Sequence, residues 1–65
     1  MDINYYQNTN PLKKGDKRYV ISYSGFGVFF RTDVDAVDES TAKAYFSKYF
    51  PRAKFESIKL KHDPN

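Results

Sequence analysis

The sequence contains no cysteine and no tryptophan, and only three glycines and three prolines in 65 residues. Without cysteine there is neither a disulfide staple nor a thiolate metal site, which points to a reducing, cytoplasmic setting. No apolar run approaches the roughly 20 residues that cross a bilayer as a helix, and residues 1–10 (MDINYYQNTN) lack the charged and apolar regions of a signal peptide. Neither membrane nor export machinery is therefore an expected partner. There is no Gly-rich phosphate loop, no nucleophile elbow and no paired-histidine motif. The single histidine, His62, has no serine or cysteine near it in sequence and reads as a solvated end residue, since acid–base catalysis needs a group positioned in a cleft. No enzyme, no catalytic residue, no cofactor and no metal are expected. A chain of this length buries only about 60% of its unfolded surface, so stability is marginal and rests on side-chain packing alone.

What is present is aromatic. Six tyrosines and six phenylalanines make up 18% of the chain, concentrating apolar area in a few large side chains, several of whose hydroxyls are expected in water. The segment 38–50 (DESTAKAYFSKYF) organises the rest. At about 100° per residue, Ala42, Tyr45, Phe46, Tyr49 and Phe50 fall within an arc of about 140°, opposite Lys43, Ala44, Ser47 and Lys48. This predicts a one-faced helix, capped by Asp38, with Glu39 at the positive end of the dipole. Pro51 disfavours helical geometry at Phe50 and ends it.

Before the helix, Tyr19, Ile21 and Tyr23 alternate with Arg18, Val20, Ser22 and Ser24, which predicts a strand over 17–24. Gly25-Phe26-Gly27 predicts a tight hairpin with Phe26 exposed at its tip. A second strand over 28–34 places Val28, Phe30, Thr32 and Val34 on one face and Phe29, Arg31 and Asp33 on the other. After the helix, a last strand over 54–61 carries Ile58 and Leu60 on one face, with Phe55 out of phase and a bulge or strand start expected near Glu56. The expected fold is α+β: a β-β-α-β chain with the helix on one face of a three-stranded, antiparallel-type sheet of spatial order 2-1-3, the first strand central. Residues 1–16 show no sustained period and read as a flexible arm, with a short edge strand at 3–7 as the alternative. The single domain is expected over 17–62 and a tail over 63–65.

The net charge is +3 and the pI about 9.2, mildly basic, which favours acidic partners without identifying nucleic acid among them. Four carboxylates lie in Asp33, Asp35, Asp38 and Glu39. Their spacing does not match a calcium loop, so capping and solubility account for them better than a metal. The last strand and its approach are basic, with Arg52, Lys54, Lys59 and Lys61. Each lysine there has a plain reading as an edge-strand gatekeeper. The alternative is a track for a phosphate backbone, with Phe26, Phe29 and tyrosines stacking on bases.

Ala36, five residues, Ala42, an aromatic helix end, Pro51, then Phe55-Glu56 and Lys59-Leu60-Lys61 form a pattern that resembles the small RNA polymerase inhibitors of short-tailed, T-odd-type phages. An ungapped register can be held from Arg18 to Lys61. The resemblance implies the same β-β-α-β plan and a protein that docks on the jaw of the host polymerase's largest subunit and blocks promoter opening. Two arginines on the family's last strand carry much of that contact. They match Lys59 and Lys61, which keep the charge and lose the planar fork. A family acidic residue on the second strand falls at Arg31, with its sign reversed.

The expected function is therefore that of a small phage-type protein, acting in the host cytoplasm as a monomer or weak dimer, that binds and disables a host machine by occlusion. RNA polymerase is the first target and a bacterial defence nuclease, such as a CRISPR effector, the second. A nucleic-acid-binding protein is the alternative, and a structural domain without discrete activity is a third reading. The expected binding residues are Lys59, Lys61, Lys54, Arg52 and Arg31, with Phe29 or Phe26 as an apolar anchor. They are expected around a sheet face that no second layer covers.

Overall fold

The computed structural model describes residues 4–63. Its elements are β1 (Asn4–Tyr6), β2 (Lys17–Gly25), β3 (Val28–Ala36), α1 (Glu39–Tyr49) and β4 (Lys54–His62). The architecture is α+β, one sheet with one helix packed on β2 and β3. The expected three-stranded sheet is corrected to four strands in the order β1-β3-β2-β4; the three expected strands keep the order 2-1-3 as β3-β2-β4, and β1 is added outside β3. The sheet is also mixed, because β2 runs antiparallel to β3 and β4 while β1 runs parallel to β3. The extra strand pairs Asn4, Tyr5 and Tyr6 with Phe30, Arg31 and Thr32. Three residues are too few to carry a period, and their partners are distant in sequence, so the strand exists only through tertiary pairing. Ile3, where the alternative edge strand began, and residues 64–65 of the expected tail lie outside the described residues.

The inner face is built by alternation. Tyr19, Ile21 and Tyr23 of β2 are buried, Ile21 completely, and they pack with Phe30 and Val34 of β3 and Ile58 of β4. From the helix, Ala42 and Phe46 are buried and Phe50 is half-buried. Ala36 and Ala42, the small pair that opens the resemblance pattern, close on Tyr19, where larger side chains would hold the helix away from the sheet. Tyr23 is the aromatic centre. Its ring stacks on Phe30 at 5.3 Å and tilts against Phe46 at 5.2 Å and Phe50 at 5.1 Å, separations at which ring pairs add about 0.5–1.5 kcal/mol beyond area burial. Burial pushes its hydroxyl pKa up.

The apolar stripe of the helix is narrower than its sequence suggests. Tyr45 and Tyr49 are exposed and form one wall of a groove of about 540 Å³ whose other wall is Thr32 to Asp35 of β3. At the helix start, Asp38 accepts the Thr41 N–H at 2.8 Å as N-cap. At its end, the Phe50 N–H donates to the Phe46 carbonyl and Pro51 follows.

Two irregularities shape β4. Tyr23 pairs with Phe55 and Ser22 with Ser57, which leaves Glu56 as a bulge; Tyr19 pairs with Leu60 and Arg18 with His62, which leaves Lys61 as another. The first restores Phe55 to the inner face, against Phe46. The second redirects Lys61, as bulges do.

Candidate functional site

The outer face of the sheet carries Arg18, Val20, Ser22 and Ser24 of β2, Phe29, Arg31, Asp33 and Asp35 of β3, and Lys54, Ser57 and Lys59 of β4, as the pairings require. It is not bare throughout. Residues 4–10 fold along it from the β3 edge and are held at the end that carries Arg18, Asp33 and Asp35. The expectation of a wholly uncovered face is corrected to a half-covered one.

Asp33 is the centre of the covered half. Its side chain has no exposed surface. It accepts the Tyr5 hydroxyl at 2.6 Å, the Asn8 backbone N–H at 2.9 Å and the Lys61 ammonium at 2.8 Å. Burial pushes this carboxyl up, but the three donors outweigh it and hold it below the usual carboxylate range. Lys61 is raised by its bonds to Asp33 and to the Tyr5 oxygen. Beside this cluster Arg18 grips Asp35 through both Nε and an Nη, at 2.7 and 2.9 Å, and donates to the Asn10 carbonyl. The same Asp35 accepts from the Asn8 side-chain amide at 3.1 Å. Bidentate, charge-assisted geometry of this kind is the strong form of a hydrogen bond. The bond to Asp35 raises the Arg18 pKa further. Two of the four clustered carboxylates thus tie strands and arm together, Asp38 caps the helix, and Glu39 faces Lys43 one turn on.

The other half of the face is open. Arg31 and Lys59 flank a shallow depression of about 350 Å³ floored by Val20, Ser22 and Ser57. Neither cation is in an ion pair among the described residues. Arg31 lies 5.7 Å over the Tyr5 ring, on which Lys61 also rests at 5.2 Å. Phe29 is exposed on this face beside Ser24, and Lys54 pairs on the other side of the same serine.

The seven expected binding residues therefore separate. Arg31, Lys59, Phe29 and Lys54 share the open outer face. Lys61 is turned into the Asp33 cluster. Arg52 precedes β4 and lines a groove on the helix side of the hairpin tip, with Phe26. Sequence reasoning did not find the roles of Tyr5, Asn8 and Asp33. The one signal was a carboxylate at an outer-face position among cations, which asks for a partner.

No three His, Asp or Glu side chains converge as a metal site among the described residues, and no described helix is long and apolar enough to cross a membrane. The fold and site define a small single-sheet α+β domain with a half-covered basic face. No family model, no curated protein and no solved structure matches this chain.

Proposed function

We propose that this chain is a small binding protein that disables a larger host protein by occlusion, with the open half of its outer sheet face as the contact. The observation that carries the reading is the pair Arg31 and Lys59 around one depression, with the carboxylates of the same face, Asp33 and Asp35, already neutralised by Lys61 and Arg18. On that half Arg31, Lys59 and Lys54 outnumber Glu56, whose carboxylate is bonded to the Ser24 hydroxyl, and a patch with that positive excess steers and orients an acidic partner. Phe29 beside it supplies apolar area that only a partner would bury. The phage-inhibitor resemblance makes bacterial RNA polymerase the first target, and a defence nuclease the second. Lys59 keeps its part in this contact, whereas Lys61 acts inside the chain.

The test is a promoter-dependent transcription assay with purified bacterial polymerase, alongside capture of that polymerase on the immobilised protein. Capture and inhibition by the wild type, both lost in Arg31→Glu/Lys59→Glu with an unchanged circular dichroism spectrum, support the reading. A charge-reversed variant that inhibits as well as the wild type removes this face from it. The exposed Phe29 and Arg31 share one face of β3, and an aromatic ring beside a cation is what single-strand binders also use, so nucleic-acid binding is the second reading. It predicts mobility shifts of unrelated oligonucleotides that weaken steeply with salt.

A further inference from the structure

The β2–β3 connection is a two-residue loop. Gly25 pairs with Val28, and Phe26 and Gly27 between them have φ of 54° and 75°. Positive φ at both central positions is what a type I′ turn requires, and Asn-Gly is the sequence that satisfies it best. Phenylalanine is a poor occupant, because its Cβ crowds the carbonyl in the left-handed region. The ring recovers nothing inside the chain. It is 104% exposed and takes part in none of the aromatic contacts of the described residues. A strained backbone carrying a fully solvated aromatic side chain is a cost the fold does not explain, and such outliers concentrate at functional positions.

Beside the ring lies an apolar groove of about 310 Å³, on the helix side of the tip, lined by Tyr23, Phe30, Phe50, Pro51 and Ala53 and rimmed by Arg52. A volume at the lower limit of ligand pockets admits one or two large side chains and nothing bulkier. Arg52 is the one charged residue among those lining the groove; Lys54 and Glu56 lie beside Ser24 on the outer sheet face. The groove therefore has a cationic rim and no carboxylate in its lining. A second copy of the chain docked tip to tip would bring the two Arg52 side chains against each other.

We propose that the hairpin tip is a docking site, separate from the outer sheet face, for a polypeptide segment that presents a large apolar side chain flanked by carboxylates. The apolar side chain enters the groove against Phe26, and a flanking carboxylate meets Arg52 at the rim. Phenylalanine persists in an unfavourable turn position because it covers that side chain.

The chain has no tryptophan, so a tryptophan-containing probe is read without background. The probe is a ten-residue amidated peptide with adjacent Trp and Leu flanked on both sides by glutamates; its control replaces each glutamate by lysine. The expected result is a saturable blue shift of Trp emission with the acidic peptide and none with the basic one. Phe26→Asn should weaken binding at least tenfold while raising Tm by about 4–8 °C, the effect of roughly one unit of relieved strain in a domain this size. Arg52→Glu should also weaken binding, and Arg31→Glu/Lys59→Glu should not, which separates this site from the outer face. Absence of a shift at millimolar peptide, binding within twofold of wild type in Phe26→Asn, or a Tm that stays or falls would each overturn the proposal. So would a wild-type dimer in sedimentation equilibrium that Phe26→Asn dissociates, since the occupant would then be a second copy.

Discussion

Replacing Asp33 by asparagine keeps the shape of the side chain and removes its charge, so it isolates what the buried carboxylate contributes. Three donors converge on it, from Tyr5, Asn8 and Lys61, and hydrogen bonds to charged acceptors are worth about 1 kcal/mol more each than neutral ones. The substitution should therefore cost about 2–3 kcal/mol, kept toward the low end because Lys61 retains 29% side-chain exposure and can turn to water. Against a total of about 3–10 kcal/mol for a chain of this length, that is a fall in Tm of roughly 10–20 °C. Thermal melts followed by circular dichroism measure it. The pH dependence is a sharper check. Asp33 is held below its ordinary value, so its contribution is fully present above the unfolded carboxyl pKa of about 3.9 and disappears as pH falls through the lower folded value. Lys61 is raised, so its side of the pair persists below about pH 10 and disappears only as pH rises through the folded value. The difference between wild type and Asp33→Asn should be flat from about pH 5 to 9 and narrow progressively as pH falls below the ordinary carboxyl value. A variant within about 0.5 kcal/mol of wild type at pH 7, or a difference undiminished at pH 2, would refute the account of the cluster.

Tyr5→Phe removes one donor to the same carboxylate, and a double-mutant cycle with Asp33→Asn should return a coupling of about 0.5–3 kcal/mol, read from denaturant melts. Ile21→Val trims the one completely buried large side chain among the described residues and should cost about 0.5–1.5 kcal/mol by the same melts, with the m-value unchanged. Asp38→Ala removes the cap on the Thr41 N–H and should lower Tm and the helical signal at 222 nm together. Deleting Glu56 removes a bulge without changing which face Phe55 or Lys54 occupies. The domain should still fold but present a flatter edge, and light scattering should detect earlier aggregation than in the wild type.

Much of the fold was legible because alternation and periodicity are local. Tyr19, Ile21 and Tyr23 against their polar neighbours, and Asp38 and Pro51 at the helix ends, each declare themselves within a few residues. Phe55 announced the bulge at Glu56 by falling out of phase. Nothing comparable marked β1, whose three residues are all exposed and whose pairing partners lie in β3. The narrowing of the helix stripe had no local sign either. Tyr45 and Tyr49 sit within the apolar arc, yet the sheet meets this segment along Ala42, Phe46 and Phe50, and a tyrosine at the margin can leave its hydroxyl in water.

The site was harder to read than the fold for a related reason. Lys54, Lys59 and Lys61 look equivalent in a strand of alternating charge, and only the register distinguishes them. An unbroken strand would put Lys61 on the same face as Lys59, two residues along, and both would meet solvent. The bulge at Lys61 sends its ammonium across β2 to Asp33 instead, where the Tyr5 hydroxyl and the Asn8 N–H donate to the same carboxylate. A basic strand becomes one docking cation and one structural one through a single extra residue. Charge reversal at Lys61 should therefore read out as lost stability and a freed Asn8 amide in hydrogen exchange, whereas reversal at Lys59 should leave both unchanged and alter only what the protein binds.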